Sequence, residues 1–287
     1  MQRVVITGVS TGIGHASAKV LLKRGFRVFG SVRTLEDADR LQSEFGEMFI
    51  PLLFDVTDES AVRSEASRVG GILGAETLDG LVNNAGIEVA GPLTHLATEQ
   101  FRYQLEVNLV GPFLVTTAFL PLLGADPARK GVPGRVVNIS STSGRIAGPF
   151  AGAYVASKFG LEGFSESLRR ELLLFGIDVI VIRPGAIVTP IWQKSTGLTE
   201  RFRETPFKEA LARFERYAAQ EGANGFPAAV IGNTVYRALT AKNPKGYYNV
   251  VPSRIPNWII PQLIPTRILD KLVARFMGIK RKYRAGE

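Results

Sequence analysis

Thr7-Gly8-Val9-Ser10-Thr11-Gly12-Ile13-Gly14 follows the apolar run that begins at Arg3. Apolar residues before the turn predict a buried strand, and the residues after it, up to about Gly25, have the apolar spacing of a helix. Glycines let the backbone turn sharply and approach a pyrophosphate, whose charge is favoured at the N-terminus of the following helix. The stretch therefore predicts a strand–turn–helix unit that binds a phosphorylated ligand.

The same alternation of short β-rich runs and helical patterns continues outward along the chain. The predicted strands are residues 3–7, 27–32, 48–54, 78–83, 135–140 and 177–183, and the predicted helices between them are residues 35–45, 59–73, 98–123 and 154–175. Nearly continuous apolar runs are typical of strands that are buried on both faces, and βα alternation requires a parallel sheet. We predict an α/β fold, a doubly wound parallel sheet with helices on both faces.

The composition excludes several kinds of chemistry. The chain of 287 residues has no cysteine and two histidines. It therefore has no disulfide, thiol nucleophile or cysteine-ligated zinc, and almost no material for a multi-histidine metal site or a Ser-His-Asp triad. We expect no metal site, and acid–base chemistry that uses Tyr, Lys, Asp or Glu.

The chain is basic, with a formal net charge of +9. This charge favours an anionic partner such as a phosphorylated small molecule or an anionic membrane, and is equally typical of a basic soluble protein. Nucleic-acid binding has only the net charge in its favour, and we do not predict it. The absence of cysteine and of an apolar leader in this sequence leads us to expect a cytoplasmic protein.

Four motifs together resemble the short-chain dehydrogenase/reductase family. They are the Thr-Gly-x-x-x-Gly-Ile-Gly turn, Asn83-Asn84-Ala85-Gly86, Tyr154-x-x-x-Lys158 and Pro184-Gly185, and they occur in the family's order over roughly residues 3 to 190. The resemblance implies a three-layer Rossmann-type domain with about seven parallel strands. It also implies a nicotinamide cofactor and hydride transfer between a hydroxyl and a carbonyl.

Tyr154 and Lys158 are four residues apart, so on a helix they share one face. A free phenol has a pKa of about 10, and a nearby ammonium group favours its ionised form. Tyr154 is thus a candidate general acid and base, with Lys158 assisting it and binding the ribose of the cofactor. By resemblance, Ser141 rather than Ser140 is the catalytic serine, and Asn108 holds a water that links the lysine to solvent.

Cofactor preference is predicted from charge at the end of the second strand. Val32 occupies the place where an acidic residue would bind the ribose 2′-hydroxyl, and Arg33 follows it with a charge suited to a 2′-phosphate. We predict NADP(H) over NAD(H), although Thr11 stands where many NADP-preferring relatives have a second basic residue. By resemblance the cofactor-binding residues are Gly8, Ser10, Thr11, Gly12, Ile13, Gly14, Arg33, Asp55, Val56, Asn83, Ala85, Gly86, Tyr154, Lys158, Pro184, Gly185, Ile187 and Thr189. Asp55 is alternatively a helix cap ahead of Glu59.

We predict a single domain over residues 1–251, with a substrate lid at about residues 190–226, and a basic C-terminal extension over residues 252–287. Aromatic and aliphatic residues of the lid favour a bulky apolar substrate such as a steroid, retinoid or aryl ketone, but amphipathic helices carry the same residues to pack on a core. The extension is basic and amphipathic from Arg267 to Arg284. Packing on a partner subunit or fraying in solvent is favoured over peripheral membrane contact.

The predicted function is an NADP(H)-dependent alcohol dehydrogenase or carbonyl reductase acting on a small molecule. One alternative is a reductase of a β-ketoacyl thioester, and another is a cofactor-binding sensor or scaffold without turnover. The complete set of Asn108, Ser141, Tyr154 and Lys158 argues against the sensor. The resemblance also implies a homodimer or homotetramer that forms through the helices bearing Asn108 and Tyr154.

Overall fold

The computed structural model describes residues 1–279, and its centre is a parallel sheet of seven strands. The strands of the chain are β1 (Arg3–Ile6), β2 (Arg27–Val32), β3 (Phe49–Leu53), β4 (Gly80–Asn83), β5 (Arg135–Ile139), β6 (Asp178–Pro184), β7 (Ile187–Val188), β8 (Phe226–Pro227) and β9 (Tyr247–Val250). The order in the sheet is β3-β2-β1-β4-β5-β6-β9, while β7 and β8 form a separate two-stranded pair.

Helices cover both faces of the sheet. They are α1 (Gly12–Leu22), α2 (Leu35–Phe45), α3 (Glu59–Leu73), α4 (Thr98–Leu105), α5 (Gly111–Phe119), α6 (Gly152–Glu171), α7 (Leu198–Arg201), α8 (Lys208–Asn224), α9 (Ala228–Thr240), α10 (Ile260–Leu263) and α11 (Thr266–Met277). One apolar core lies under α1, α2 and α9, and the other lies under α3 and α5. Buried apolar strands between two helical layers confirm the predicted doubly wound α/β fold.

The six predicted strands are all present, but the sheet has a seventh, β9, that the pattern did not locate. Its residues, Tyr247-Tyr248-Asn249-Val250, are only partly buried and lie at the sheet edge, next to β6. A half-buried edge strand with polar residues lacks the continuous apolar run that marked the other strands.

The predicted helix over residues 98–123 is interrupted rather than continuous. A π-helical turn, Glu106–Val110, separates α4 from α5, and a 3₁₀ turn, Leu120–Leu123, ends the segment. The segment Thr98–Leu123 is long and apolar enough to cross a membrane, but Val115 and Phe119 are buried in the core against the sheet. The protein uses it as a core helix.

The predicted lid forms a compact unit after the sixth strand. A 3₁₀ turn, Pro190–Ser195, is followed by α7 and α8, and the pairing of β7 with β8 joins the beginning and the end of the unit. Beyond the sheet, a π turn (Ile255–Ile259), α10 and α11 form the C-terminal segment, and α11 ends at Met277 before Gly278. The last eight residues of the predicted basic extension, 280–287, lie outside the described residues.

A buried ion pair connects α6 to β6. Arg183 donates through Nε and Nη2 to the two carboxylate oxygens of Glu162, at 2.9 and 2.6 Å, and the two side chains are 8% and 7% exposed. The guanidinium also stacks 4.0 Å from the centre of the Tyr247 ring on β9. Three elements are therefore held together by one cation.

Replacing Glu162 with Gln leaves the Arg183 charge buried without its partner, so we expect a loss of about 3 kcal/mol or more in the free energy of unfolding. The matched control is Glu166→Gln, which removes an exposed i,i+4 pair with Arg170 on the same helix and is expected to change stability by less than about 0.5 kcal/mol. Urea denaturation measures both, and equal losses in the two variants would refute the assignment.

Candidate active site

The glycine turn brings two main-chain segments into close contact. A side chain at this contact would not fit between them. A Cβ on Gly14 would lie 2.1 Å from the carbonyl oxygen of Gly8 and 2.5 Å from Nδ2 of Asn84. Gly8 and Gly12 have φ values of +70° and +61°, in the left-handed region that glycine tolerates. These constraints place the N-terminus of α1 directly beyond the end of β1.

Hydrogen bonds fix this turn to both neighbouring strands. On one side, the Thr7 hydroxyl accepts from the backbone N–H groups of Asn84 and Ala85, both at 2.9 Å. On the other, Gly8 N–H donates to the Ser31 hydroxyl at 2.9 Å. Ser31 and the role of Thr7 were not identified from the sequence, because neither residue type at a strand end signals such a bond by itself.

The first turn of α1 has unused hydrogen-bond donors. Within residues 1–279, no protein acceptor receives the backbone N–H groups of Gly12, Ile13 and Gly14, and the Thr11 side chain does not cap the helix. Thr189 lies opposite, with its methyl group 3.4 Å from the position of a Cβ on Gly12. Open donors at a helix N-terminus fit the pyrophosphate of a dinucleotide, so the residues of this turn suit the cofactor that the resemblance implies.

The basic end of the site contains one more arginine than the sequence indicated. Arg33 follows β2, is largely exposed and has Nη1 4.0 Å from the Asp55 carboxylate. Arg40 on α2 donates to the Ser10 carbonyl oxygen at 3.1 Å, so a second guanidinium lies at the outer side of the glycine turn. Asp55 accepts from the Thr57 backbone and hydroxyl, and it is Asp58 that caps α3.

Other predicted cofactor residues take different positions. The Asn83 amide nitrogen donates to Thr116 and Asn138 in the core, and the residue is almost fully buried within β4. Val56 is buried against Gly111 of α5. Gly86 faces the Asn108 amide, and Pro184 ends β6. Beyond it, the Gly185 N–H donates to the Val250 carbonyl, and the Ile187 carbonyl accepts from the Trp192 indole.

The structure brings Ser141, Tyr154 and Lys158 together at the carboxyl end of β5. The ammonium nitrogen of Lys158 lies 5.7 Å from the centre of the Tyr154 ring and donates to the Ile139 carbonyl at 2.9 Å. The Ser141 side chain lies close enough to the Tyr154 hydroxyl to lower the pKa of the phenol, and its Oγ accepts from the Ser143 N–H at 3.0 Å. The hydroxyl of Ser140 is instead buried without a partner in the described part of the chain.

Burial dominates the acid–base properties of the pair. Desolvation raises the pKa of Tyr154 well above its usual value, the charge of Glu88 raises it further, and the nearby Ser141 side chain opposes both. Desolvation lowers the pKa of Lys158 to about 8, against the attraction of Glu162. At neutral pH the protein alone therefore holds a protonated phenol beside a mostly protonated amine.

Asn108 in the π turn connects the helices around the site. Its Oδ1 accepts from Ile87 N–H at 2.9 Å, and its Nδ2 donates to the Ile87 carbonyl and to the Ser157 hydroxyl at 3.0 and 3.1 Å. Ser157 in turn donates to the Tyr154 carbonyl at 2.7 Å. The widened turn lets a polar side chain leave the helix and fix the position of the tyrosine helix.

Glu88 is a site residue that the sequence analysis missed. The flanking main chain is held by Asn108 at Ile87 and by Gln104, which accepts from Val89 N–H at 2.7 Å. Two residues further on, Gly91 N–H donates to Phe150, just before the helix of Tyr154. Desolvation raises the pKa of the Glu88 carboxyl to about 7. A single Glu after a Gly-Ile pair has no pattern that would mark it in a sequence.

Comparison with known proteins agrees with this geometry. The sequence pattern of the family described as short chain dehydrogenase matches residues 2–198. The chain is a member of the short-chain dehydrogenase/reductase family. A solved structure of a short-chain dehydrogenase from Streptomyces avermitilis superimposes with a TM-score of 0.74 at 27% identity, covering 96% of this chain and 95% of that one.

Two curated relatives match this short-chain dehydrogenase/reductase over nearly its whole length. The NADPH-dependent 3-dehydrocapnine reductase of Ornithobacterium rhinotracheale is 37% identical over 95% of this chain and 96% of its own length. Retinol dehydrogenase 5 of Mus musculus is 33% identical over 94% of this chain and 87% of its own length. The chain is accordingly an oxidoreductase that uses a nicotinamide cofactor.

Glu88→Gln removes a charge that raises the pKa of Tyr154, so we expect the variant to ionise its tyrosine at lower pH. Because the Glu88 carboxyl itself titrates near 7, the two proteins are expected to behave alike below that pH and to diverge above it. The measurement is the pH profile of kcat/KM for alcohol oxidation, whose ascending limb reports the general base. A limb that stays in place, or moves to higher pH, would contradict the proximity of the two groups.

Proposed function

We propose that this enzyme interconverts a secondary alcohol and a ketone, or a primary alcohol and an aldehyde, with NADP(H) and a bulky apolar substrate. The observation that carries the proposal is the desolvated Tyr154, which has Ser141 beside its hydroxyl and Lys158 on the same face of α6. The relatives named for a reductase and for retinol dehydrogenase support this class of reaction.

In the proposed reduction, Ser141 orients the substrate carbonyl and Tyr154 gives its hydroxyl proton to the carbonyl oxygen. A nicotinamide supplies or accepts the hydride at the carbonyl carbon when the cofactor is bound. In the reverse direction, Tyr154 takes the proton of the alcohol, and the Lys158 ammonium favours the phenolate that this requires. Asn108 positions Tyr154 through Ser157 and so keeps the proton-transferring oxygen in place.

The NADP(H) preference rests on the charges at the adenosine end. Arg33 is largely exposed and lies 4.0 Å from the Asp55 carboxylate, and Arg40, which pairs with Asp37, adds a second guanidinium on the side of Ser10. Arg40 lies next to the position of Thr11, where many NADP-preferring relatives have a basic residue, and it would supply the positive charge that Thr11 lacks. Two guanidinium groups suit a ribose 2′-phosphate, which an acidic residue at Val32 would have repelled.

The apolar character of the substrate is supported by the surroundings of the lid. Phe150, which precedes the tyrosine helix, lies in one cluster with Phe202, Leu211 and Phe214 of the lid and with Phe207 beside them. Most of these rings pack against one another, in line with the alternative that the aromatic residues of the lid helices serve to pack on the core. The cluster nevertheless gives the substrate side of the site an apolar wall, with Glu88 as the charged exception.

A homo-oligomer is part of the proposal. Three aromatic side chains on the helices expected to form the interface are about half exposed: Tyr103 on α4, Phe113 on α5 and Phe159 on α6. Exposed aromatic residues on neighbouring helices are typical of an interface between subunits. Light scattering from the purified protein measures the mass directly.

Tyr154→Phe removes the proton donor while leaving the ring in place, so we expect kcat/KM to fall by roughly 10²-fold or more. The assay is NADPH consumption with a panel of steroid, retinoid, aryl and acyl-thioester carbonyls. Tyr103→Phe is the matched control, an exposed tyrosine on α4 that should leave the rate unchanged. Turnover that survives in Tyr154→Phe would refute the proposed mechanism.

Arg33→Ala removes charge-assisted bonds to a 2′-phosphate, so we expect NADPH to bind roughly tenfold to 100-fold more weakly. NADH, which has no such phosphate, should bind about as before. The control is Arg170→Ala, an exposed arginine on α6 far along the chain from the adenosine end. Fluorescence titration gives the dissociation constants, and equal losses for both cofactors would disprove the preference.

A further inference from the structure

The C-terminal segment has an unusual concentration of exposed apolar side chains. Of the 21 large hydrophobic residues that are exposed among those described, eight lie between residues 255 and 279. Leu263 is 76% exposed, Ile255 64% and Phe276 61%. Exposed apolar side chains that are concentrated in one segment mark a surface that is covered by something else.

Helix α11 arranges these side chains in a stripe. Ile268, Leu272 and Phe276 are spaced four residues apart and are all more than half exposed. On another side of the helix, Val273 and Met277 pack against the apolar cluster that contains Phe150 and the lid residues. Arg267, Lys271 and Arg275 each precede a stripe residue, so they form a row of cations about 100° further round the helix. The helix has three distinct faces, one packed on the protein, one apolar and exposed, and one cationic.

A groove next to the stripe collects positive charge. It has a volume of about 410 Å³ between α8 and α11 and is lined by Arg213, Lys271, Ala274, Arg275, Gly278 and Ile279. Two cations of the helix row, Lys271 and Arg275, therefore meet a third from α8, while Ile279 belongs to both the groove and the apolar surface. Three basic side chains around one groove are suited to a phosphate group.

We propose that the C-terminal segment is a membrane-binding surface, in which the stripe of α11 enters the interface of an anionic bilayer and the groove receives lipid phosphate. An interfacial helix has this combination of an apolar face and a basic face. Basic residues that lie beside such an apolar face are attracted by anionic lipid headgroups. The net charge of +9 acts in the same direction.

The charges distinguish a lipid surface from a second copy of this chain. A two-fold contact through the stripe would place one cationic row close to its symmetry mate, and Asp270 is the one acidic residue of α11. The two cationic rows would repel each other in such a contact, whereas each of these cations is attracted to an anionic bilayer. The aromatic residues expected at the subunit interface lie instead on α4, α5 and α6.

The surface also has a direct structural connection to the substrate side of the enzyme. Met277 of α11 belongs to the apolar cluster of Phe214 and Phe150. Phe150 receives the Gly91 N–H and immediately precedes the helix of Tyr154. Membrane binding would thus place the lid next to the bilayer, where an apolar substrate is dissolved.

Co-sedimentation of the full chain with lipid vesicles tests the proposal without any activity assay. We expect binding to vesicles that contain phosphatidylglycerol, little binding to pure phosphatidylcholine vesicles, and release at high salt. Leu272→Ser with Phe276→Ser should reduce the bound fraction about tenfold or more, because two apolar side chains no longer enter the interface. Lys271→Gln with Arg275→Gln should reduce the preference for the anionic vesicles, because two cations of the row are lost while the apolar stripe is kept.

The matched control is Leu173→Ser with Leu174→Ser, two more exposed leucines that lie outside the segment, and it should bind like the wild type. Thermal unfolding verifies that each variant is folded. Wild-type protein that stays in the supernatant with anionic vesicles would overturn the proposal. So would a change in oligomeric mass for Leu272→Ser with Phe276→Ser, because the stripe would then be an interface between copies.

Discussion

The contact between Gly14 and the carbonyl of Gly8 is the constraint on which the rest of the site depends. Because no Cβ fits between them, α1 begins directly at the end of β1 and presents its free N–H groups where the strands end. The same turn is bonded to Ser31 of β2 and, through Thr7, to the chain that follows β4. Three neighbouring strands are thereby fixed relative to one phosphate-binding helix terminus.

At the catalytic end, the removal of water from polar groups sets the acid–base properties of the site. Tyr154 and Lys158 are desolvated on one face of α6, which keeps the phenol protonated until another positive charge arrives. Glu88 opposes ionisation, whereas Ser141 favours it. The π turn at Asn108 holds the loop of Glu88 and the helix of Tyr154 in one network. Small changes in this network are expected to alter proton transfer rather than cofactor binding.

Local patterns predicted the fold and part of the site. The alternation of strands and helices is encoded in apolar spacing, so six of the seven central strands and the helices between them were predicted, while helix α9 and the half-buried edge strand β9 were not. Tyr154 and Lys158 lie on one helix, so their spacing alone indicated a shared face. Glu88, Arg40 and Ser31 come from separate segments, and only the three-dimensional path of the chain brings them to the site. The exposed face of α11 likewise depends on which side packs against α8.

Hydride transfer can be followed directly with NADPH that carries deuterium at both positions of the nicotinamide C4. The alcohol formed from an apolar ketone or aldehyde would then be analysed by mass spectrometry. The account predicts one deuterium per product molecule, bound to carbon, and none when the label is supplied as deuterated water. Product without carbon-bound deuterium from NADPH would contradict the assignment of this site to hydride transfer, as would cofactor binding with no product across the carbonyl panel.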